Sequence, residues 1–79
     1  MDRGFAILVL NACFRASREL GEAATAVEAF SSEEEGRRLK LQLGASVGEI
    51  GRITESIYDT HPDLREYVEQ QIDKYGRLS

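Results

Sequence analysis

The stretch FSSEEEGRR, residues 30–38, lies between two long segments in which apolar residues recur every three or four positions. Ser32 is followed three residues later by Glu35, which is the pattern of a capping box at the start of a helix. The acidic run 33–35 would then occupy the first helical turn, where the positive end of the helix dipole favours carboxylates. The stretch therefore predicts that one helix ends near Phe30 and that a second begins at residue 33. These charges indicate a solvated helix start, with an acidic recognition patch as the alternative.

The two flanking segments each carry one apolar stripe with helical spacing. We expect helix one at about residues 3–30 and helix two at about residues 33–58. The stripe of helix one comprises Phe5, Leu8, Ala12, Ala16, Leu20, Ala23, Val27 and Phe30. The stripe of helix two comprises Leu39, Leu43, Val47 (or Ser46), Ile50, Ile53 and Ile57. Because the connection is so short, the two helices should fold back on each other as a long antiparallel hairpin.

A shorter third helix is predicted at about residues 62–75. Pro62 suits its first turn, with Thr60 or His61 as the N-cap, and Gly76 is placed to end it. Its apolar residues are Leu64, Val68, Ile72 and Tyr75. Residues 5–14 of helix one are apolar almost all round, so they need cover from more than one direction. We expect the third helix to supply that cover.

The composition indicates one all-α domain over residues 1–79. Apolar residues make up 42% and charged residues 30%, which is too apolar for a disordered chain and too charged for a membrane span. The net charge of −4 argues against direct binding to nucleic acid and favours a cytoplasmic protein. The apolar run Phe5 to Leu10 is too short for a secretory signal. Cys13 is expected to be a buried structural thiol.

Helix two contains Gly44, Gly48 and Gly51 within its periodic segment. An interior helical glycine costs about 0.5–1 kcal/mol relative to alanine, so three of them call for a compensating contact. Their spacing forms a strip without side chains. The simplest interpretation is that large side chains of helix one, with Phe14 opposite Gly48, pack into the strip. The alternatives are a contact with a second molecule and a bendable helix.

The third helix is too short to cover the whole hairpin, so apolar side chains at the other end should remain partly exposed. Such patches usually mark interfaces. Assembly into a dimeric helix bundle would cover them. The predicted protein interface comprises Leu20, Val27, Phe30, Leu39, Leu41, Gly44, Gly48 and Gly51.

The sequence contains no recognisable catalytic, cofactor-binding or metal-binding motif. His61 is the only histidine, and with Glu55, Asp59 and Asp63 it makes only a weak candidate metal site. The cations Arg37, Arg38 and Arg52 form a speculative anion-binding set, although solvated surface charges are the simpler interpretation. Lys40 could join them.

We therefore expect a small non-enzymatic protein that binds protein, first itself and then a larger partner, as an adaptor, accessory subunit or inhibitor. Two alternatives remain open at this stage. One is a small all-α dimeric enzyme that binds a carboxylate-bearing metabolite through Arg and Lys. The other is a phage-type or plasmid-type inhibitor of a nucleic-acid enzyme, which suits the size and the acidic charge.

Overall fold

The computed structural model describes residues 1–78, which form three α-helices. Helix α1 spans Arg3–Phe30, α2 spans Glu33–Thr60 and α3 spans Asp63–Tyr75. No strand occurs in this range, and α1 packs against α2, so the all-α prediction is confirmed. The longest dimension of the molecule is 44 Å. None of the three helices combines the length and the apolar character that a membrane crossing requires.

The hairpin turn between α1 and α2 consists of Ser31 and Ser32. The backbone N–H of Glu35 donates to Ser32 Oγ at 3.2 Å, and the N–H of Ser32 donates back to Glu35 Oε1 at 3.1 Å. The predicted capping box is therefore confirmed. Helix α1 begins in a related way, because the N–H of Phe5 donates to the Asp2 carboxylate at 2.9 Å. Both caps satisfy N–H groups that have no partner inside the helix.

Helices α1 and α2 meet along a seam of buried and half-buried residues spaced alternately three and four apart. On α1 these residues are Ala6, Leu10, Cys13, Ser17, Leu20, Ala24 and Val27. On α2 they are Gly36, Leu43, Val47, Ile50, Thr54 and Ile57, with Lys40 at the remaining position of the repeat. A seven-residue repeat keeps one side of each helix toward its neighbour over the whole contact. Cys13 is a buried free thiol, as predicted.

The seam is rotated by about one residue from the stripe predicted for helix one. Phe5 and Leu8 of the predicted stripe are 55% and 62% exposed, whereas Ala6 and Leu10 are buried. In the N-terminal half of α1 the predicted stripe is therefore not the face that contacts α2. The small residues of the seam allow a closer approach of the two helices than Phe5 would allow.

The capping residues at the connection between α2 and α3 differ from the prediction. Pro62 is the N-cap of α3 and provides no side-chain cap bond, so the prediction of Thr60 or His61 at this position is wrong. Both side chains are used elsewhere. Thr60 Oγ1 donates to the Ile57 carbonyl oxygen at 3.1 Å, and His61 Nε2 donates to the Met1 carbonyl oxygen at 2.8 Å. His61 instead ends α2.

The hydrophobic core lies at the base of the hairpin, where all three helices meet. It comprises Ala6, Leu10, Ile57, Tyr58, Leu64, Val68 and Leu78. Helix α3 therefore covers the N-terminal half of α1, as predicted. Gly76 ends α3 in the left-handed conformation, with φ of 79°. After this turn Leu78 enters the core, a contact that the sequence interpretation did not include.

Candidate protein-interaction surface

The seam divides the hairpin into two sides. One residue of an α-helix corresponds to about 100° of rotation, so the residues before and after a seam position point to opposite sides. Because α1 and α2 are antiparallel and face each other, residues that follow seam positions lie on the same side in both helices. Phe14 and Gly51, which follow Cys13 and Ile50, fit this geometry because both line one cleft across the seam.

The side formed by residues that follow seam positions is called the glycine side, because it contains the three-glycine strip of α2. It also carries two of the three ion pairs that join different helices within residues 1–78. Glu28 of α1 pairs with Lys40 of α2, and Arg65 of α3 donates to Glu55 of α2 at 3.0 Å. The Arg65 guanidinium also lies 4.4 Å from the centre of the Tyr58 ring. Helix α3 therefore packs on the glycine side, at the base of the hairpin.

The glycine strip is not filled by helix α1. A Cβ added at Gly44, Gly48 or Gly51 would meet no neighbouring atom within 4 Å. The prediction of large-against-small packing inside the hairpin is therefore wrong. Phe14 lies at the cleft with Gly51, about one turn from its predicted position opposite Gly48. The physical reason is that the strip points about 100° away from the seam, so it does not determine how closely the helices approach.

The side formed by residues that precede seam positions is called the open face. Its apolar and small members on α1 are Phe5, Val9, Ala12, Ala16, Ala23 and Ala26, and on α2 they are Leu39, Ser46, Ile53 and Ser56. Phe30 belongs to it as well, because it precedes the half-buried Ser31, which continues the repeat of α1. Among the apolar residues of the face that are larger than alanine, only Val9 is half-buried, and it packs against the core. Phe30 is 87% exposed, Ile53 45% and Leu39 42%. Leu8 extends the face at its outer edge.

The charged residues of the open face are all acidic. Glu19, Glu35 and Glu49 precede seam positions, and no lysine or arginine does so within residues 1–78. Glu35 belongs to the cap of α2, and Glu49 accepts a hydrogen bond from Arg52 at 2.8 Å. The face therefore combines an apolar surface with a small excess of negative charge.

The residues of the predicted interface lie in three different places. Leu20 and Val27 belong to the seam, and Val27 is buried there. Phe30 and Leu39 lie on the open face. Leu41 and the three glycines lie on the glycine side, so no single flat partner reaches all of them. Two further large residues of the open face, Phe5 and Ile53, had been assigned to the hairpin core by their helical spacing.

The three arginines of the speculative anion-binding set are not brought together. Arg37 lies 3.7 Å from Glu33, and Arg52 pairs with Glu49 on the same helix. Arg37 and Arg52 are separated by about four helical turns of α2. Arg37 lines an open cleft of about 430 Å³ at the hairpin tip, but Arg38 and Arg52 do not. The other cation of that cleft, Lys40, is paired with Glu28, so its charge is already balanced.

The groups around His61 are engaged in structural contacts. Arg3 binds Asp63 and Arg65 binds Glu55, while the His61 ring binds the Met1 carbonyl oxygen. In the part of the chain that the structure describes, no three His, Cys, Asp or Glu side chains are grouped so that they could hold a metal ion.

The shifted pKa values belong to contacts that join structural elements. Two hydrogen bonds from the Arg3 guanidinium, at 2.8 and 3.1 Å, lower the pKa of Asp63. The hydrogen bond from Lys40, and then its charge, lower the pKa of Glu28. The backbone N–H of Ser32 lowers the pKa of Glu35. Burial raises the pKa of Tyr58. These groups tie caps and helix junctions together, and none of them lies in a cleft with a second perturbed group.

Comparison with known proteins gives no match: no family model, no curated protein and no solved structure matches the chain. Function is therefore inferred from the surface of the three-helix fold.

Proposed function

We propose that this protein is a small non-enzymatic protein-binding module, which associates with itself and with a larger partner through the open face. Its role would be that of an adaptor, accessory subunit or inhibitor. The observation that carries the proposal is the exposure of Phe5, Phe30, Leu39 and Ile53 on one side of a hairpin whose core is built elsewhere.

The energetic support comes from the size of these side chains. Complete burial of a Phe, Leu or Ile side chain is worth roughly 1.5–3 kcal/mol relative to exposure, so several of them on one side favour association. A chain of 79 residues also gains from a partner, because small domains bury only a modest fraction of their surface when they fold alone. Exposed apolar patches of this kind usually mark interaction sites.

The charge of the face supports a partner of particular chemistry. Glu19 makes no ion pair within residues 1–78, whereas Glu35 is engaged in the cap of α2 and Glu49 with Arg52. The complementary surface is therefore an apolar groove with a basic group at its rim. Amphipathic helices commonly bind such grooves through side chains spaced three and four apart. The net charge of −4 would favour encounter with a basic partner.

Leu39 and Leu41 provide a matched test of the proposal. Both are exposed leucines of α2, but Leu39 lies on the open face and Leu41 on the glycine side. Leu39→Lys places a charge on the open face, and Leu41→Lys places the same charge on the other side. Light scattering would measure self-association, and quantitative mass spectrometry would compare the proteins that each variant captures from the source cells.

We expect the wild-type protein and Leu41→Lys to self-associate and to retain the same captured proteins, whereas Leu39→Lys loses both. Circular dichroism should show equal helix content for all three proteins. The proposal is wrong if Leu39→Lys matches the wild type in both measurements, or if only Leu41→Lys loses binding.

A further inference from the structure

Building on the proposed function, we infer that a second copy of this chain occupies the open face, packed face to face with the two hairpin tips at opposite ends. The result is a four-helix bundle at the interface, with α1 beside α1 of the second copy and α2 beside its α2. Each α3 remains on the outside, because it packs on the glycine side.

The area of the open face matches what a stable dimer needs. The two 28-residue helices are each about 42 Å long. Two packed helices lie about 9 Å apart and are each about 10 Å wide, so one side of the hairpin is roughly 20 Å across. The face therefore offers on the order of 800 Å² per copy, which is the contribution of each partner in a standard stable interface.

The acidic tip favours the arrangement with tips at opposite ends. Residues 33–35 are three consecutive glutamates, and all three are exposed. If the tips met, both acidic runs would lie at the same end of the bundle, on diagonally opposite helices whose axes are roughly 13 Å apart. With the tips at opposite ends the runs are about 40 Å apart, far beyond the roughly 8 Å over which charges interact at physiological ionic strength.

The middle of the face supports the same orientation. The midpoint of α1 lies at Ala16 and Ser17, so antiparallel packing of α1 on its copy brings Glu19 near Arg15 of the second copy. Within residues 1–78 neither Arg15 nor Glu19 makes an ion pair, so both charges remain available. If the tips met, α1 would pack on α2 of the second copy, and Arg15 would lie level with its Glu49, which already pairs with Arg52. Glu19 would then have no cation opposite it.

A charge-swap experiment separates these arrangements. Arg15→Glu places carboxylates at both positions 15 and 19, and Glu19→Arg places cations at both. Each variant alone should self-associate about tenfold more weakly than the wild type, because like charges meet at two symmetric places. An equimolar mixture should recover the wild-type affinity as a mixed dimer. Sedimentation equilibrium measures both, and circular dichroism checks that each variant is helical.

A label at the tip tests the orientation independently of affinity. With Glu34→Cys in a Cys13→Ala background, spin labels on the two copies should lie more than about 40 Å apart, against about 30 Å or less if the tips meet. The inference is overturned if the short distance is found, if Glu19→Arg alone associates as tightly as the wild type, or if the wild type has the mass of one chain at all micromolar concentrations. In that last case the proteins captured by Leu39→Lys and Leu41→Lys still test the proposed function separately.

Discussion

Val27 lies so close to Gly36 that a Cβ added to the glycine would stand 3.0 Å from Val27 Cγ1. The same Cβ would stand 3.1 Å from the hydroxyl oxygen of Ser31, which is held by its hydrogen bond to the Val27 carbonyl oxygen at 2.5 Å. The glycine that a close approach requires is therefore in the first turn of α2, beside the hairpin turn, and not in the glycine strip.

Gly36→Leu should destabilise the protein by about 1–3 kcal/mol, because a large side chain would push the start of α2 away from α1. This loss should exceed the gain that leucine brings as a better helix former. Urea denaturation measures the free energy of unfolding. Gly48→Leu is the matched control and should show no such loss, since open space surrounds Gly48. Equal stability of Gly36→Leu and the wild type would contradict the close contact.

Replacing the strip glycines by alanine should stabilise the folded chain. Each of Gly44→Ala, Gly48→Ala and Gly51→Ala should raise the free energy of unfolding by about 0.5–1 kcal/mol, because the backbone loses less entropy on folding and the new methyl meets no obstacle. Thermal and urea denaturation at low protein concentration would measure the gain. A loss of stability in any of the three would show that another surface occupies the strip.

Leu78→Ala should cost about 2 kcal/mol, the low end for removing a leucine from a core, because Leu78 lies after the end of α3, where the backbone can relax. Leu78 is buried among the residues at the base of the hairpin. Arg77→Ala changes the neighbouring exposed side chain and serves as the control, with an expected effect within about 0.5 kcal/mol. Should both variants unfold at the same urea concentration, Leu78 does not belong to the core.

Acid should weaken the junction between α1 and α3. Asp63 has a lowered pKa because Arg3 binds it. A carboxyl group with a lower pKa in the folded state stabilises that state above the unfolded pKa, and the contribution is lost as the pH falls through the folded pKa. We therefore expect the free energy of unfolding to decrease below about pH 4, with a smaller decrease in Asp63→Asn.

Urea denaturation at neutral pH and at about pH 3 would measure this difference. Asp59→Asn removes a carboxyl group from a nearby exposed position and should keep the full acid response. An acid response in Asp63→Asn as large as that of the wild type would show that the ion pair with Arg3 contributes nothing.

The number of helices and most of their ends were predictable because local chemistry determines them, although the N-cap of α3 was not. Ser32 and Glu35 satisfy each other's backbone groups, and Gly76 adopts a left-handed conformation that other residues avoid. The open face was harder to predict. Phe5 and Ile53 have the spacing of core residues, and only the smaller residues beside them, Ala6 and Thr54, indicated that the seam lies about 100° away.

The amino-acid sequence alone determined that this chain is all-α, where its two long helices break, and which end of the hairpin the third helix covers. Only the tertiary structure decided which side of each helix faces its neighbour. Near its N-terminus α1 is apolar almost all round. Turning this helix about its axis by one residue, about 100°, would therefore exchange the seam and the open face, and the three-and-four spacing of its apolar residues would be the same in both cases. That choice depends on close approach between residues far apart in the chain, such as Val27 and Gly36 at the tip and Leu10 and Ile57 at the base, and on where α3 packs.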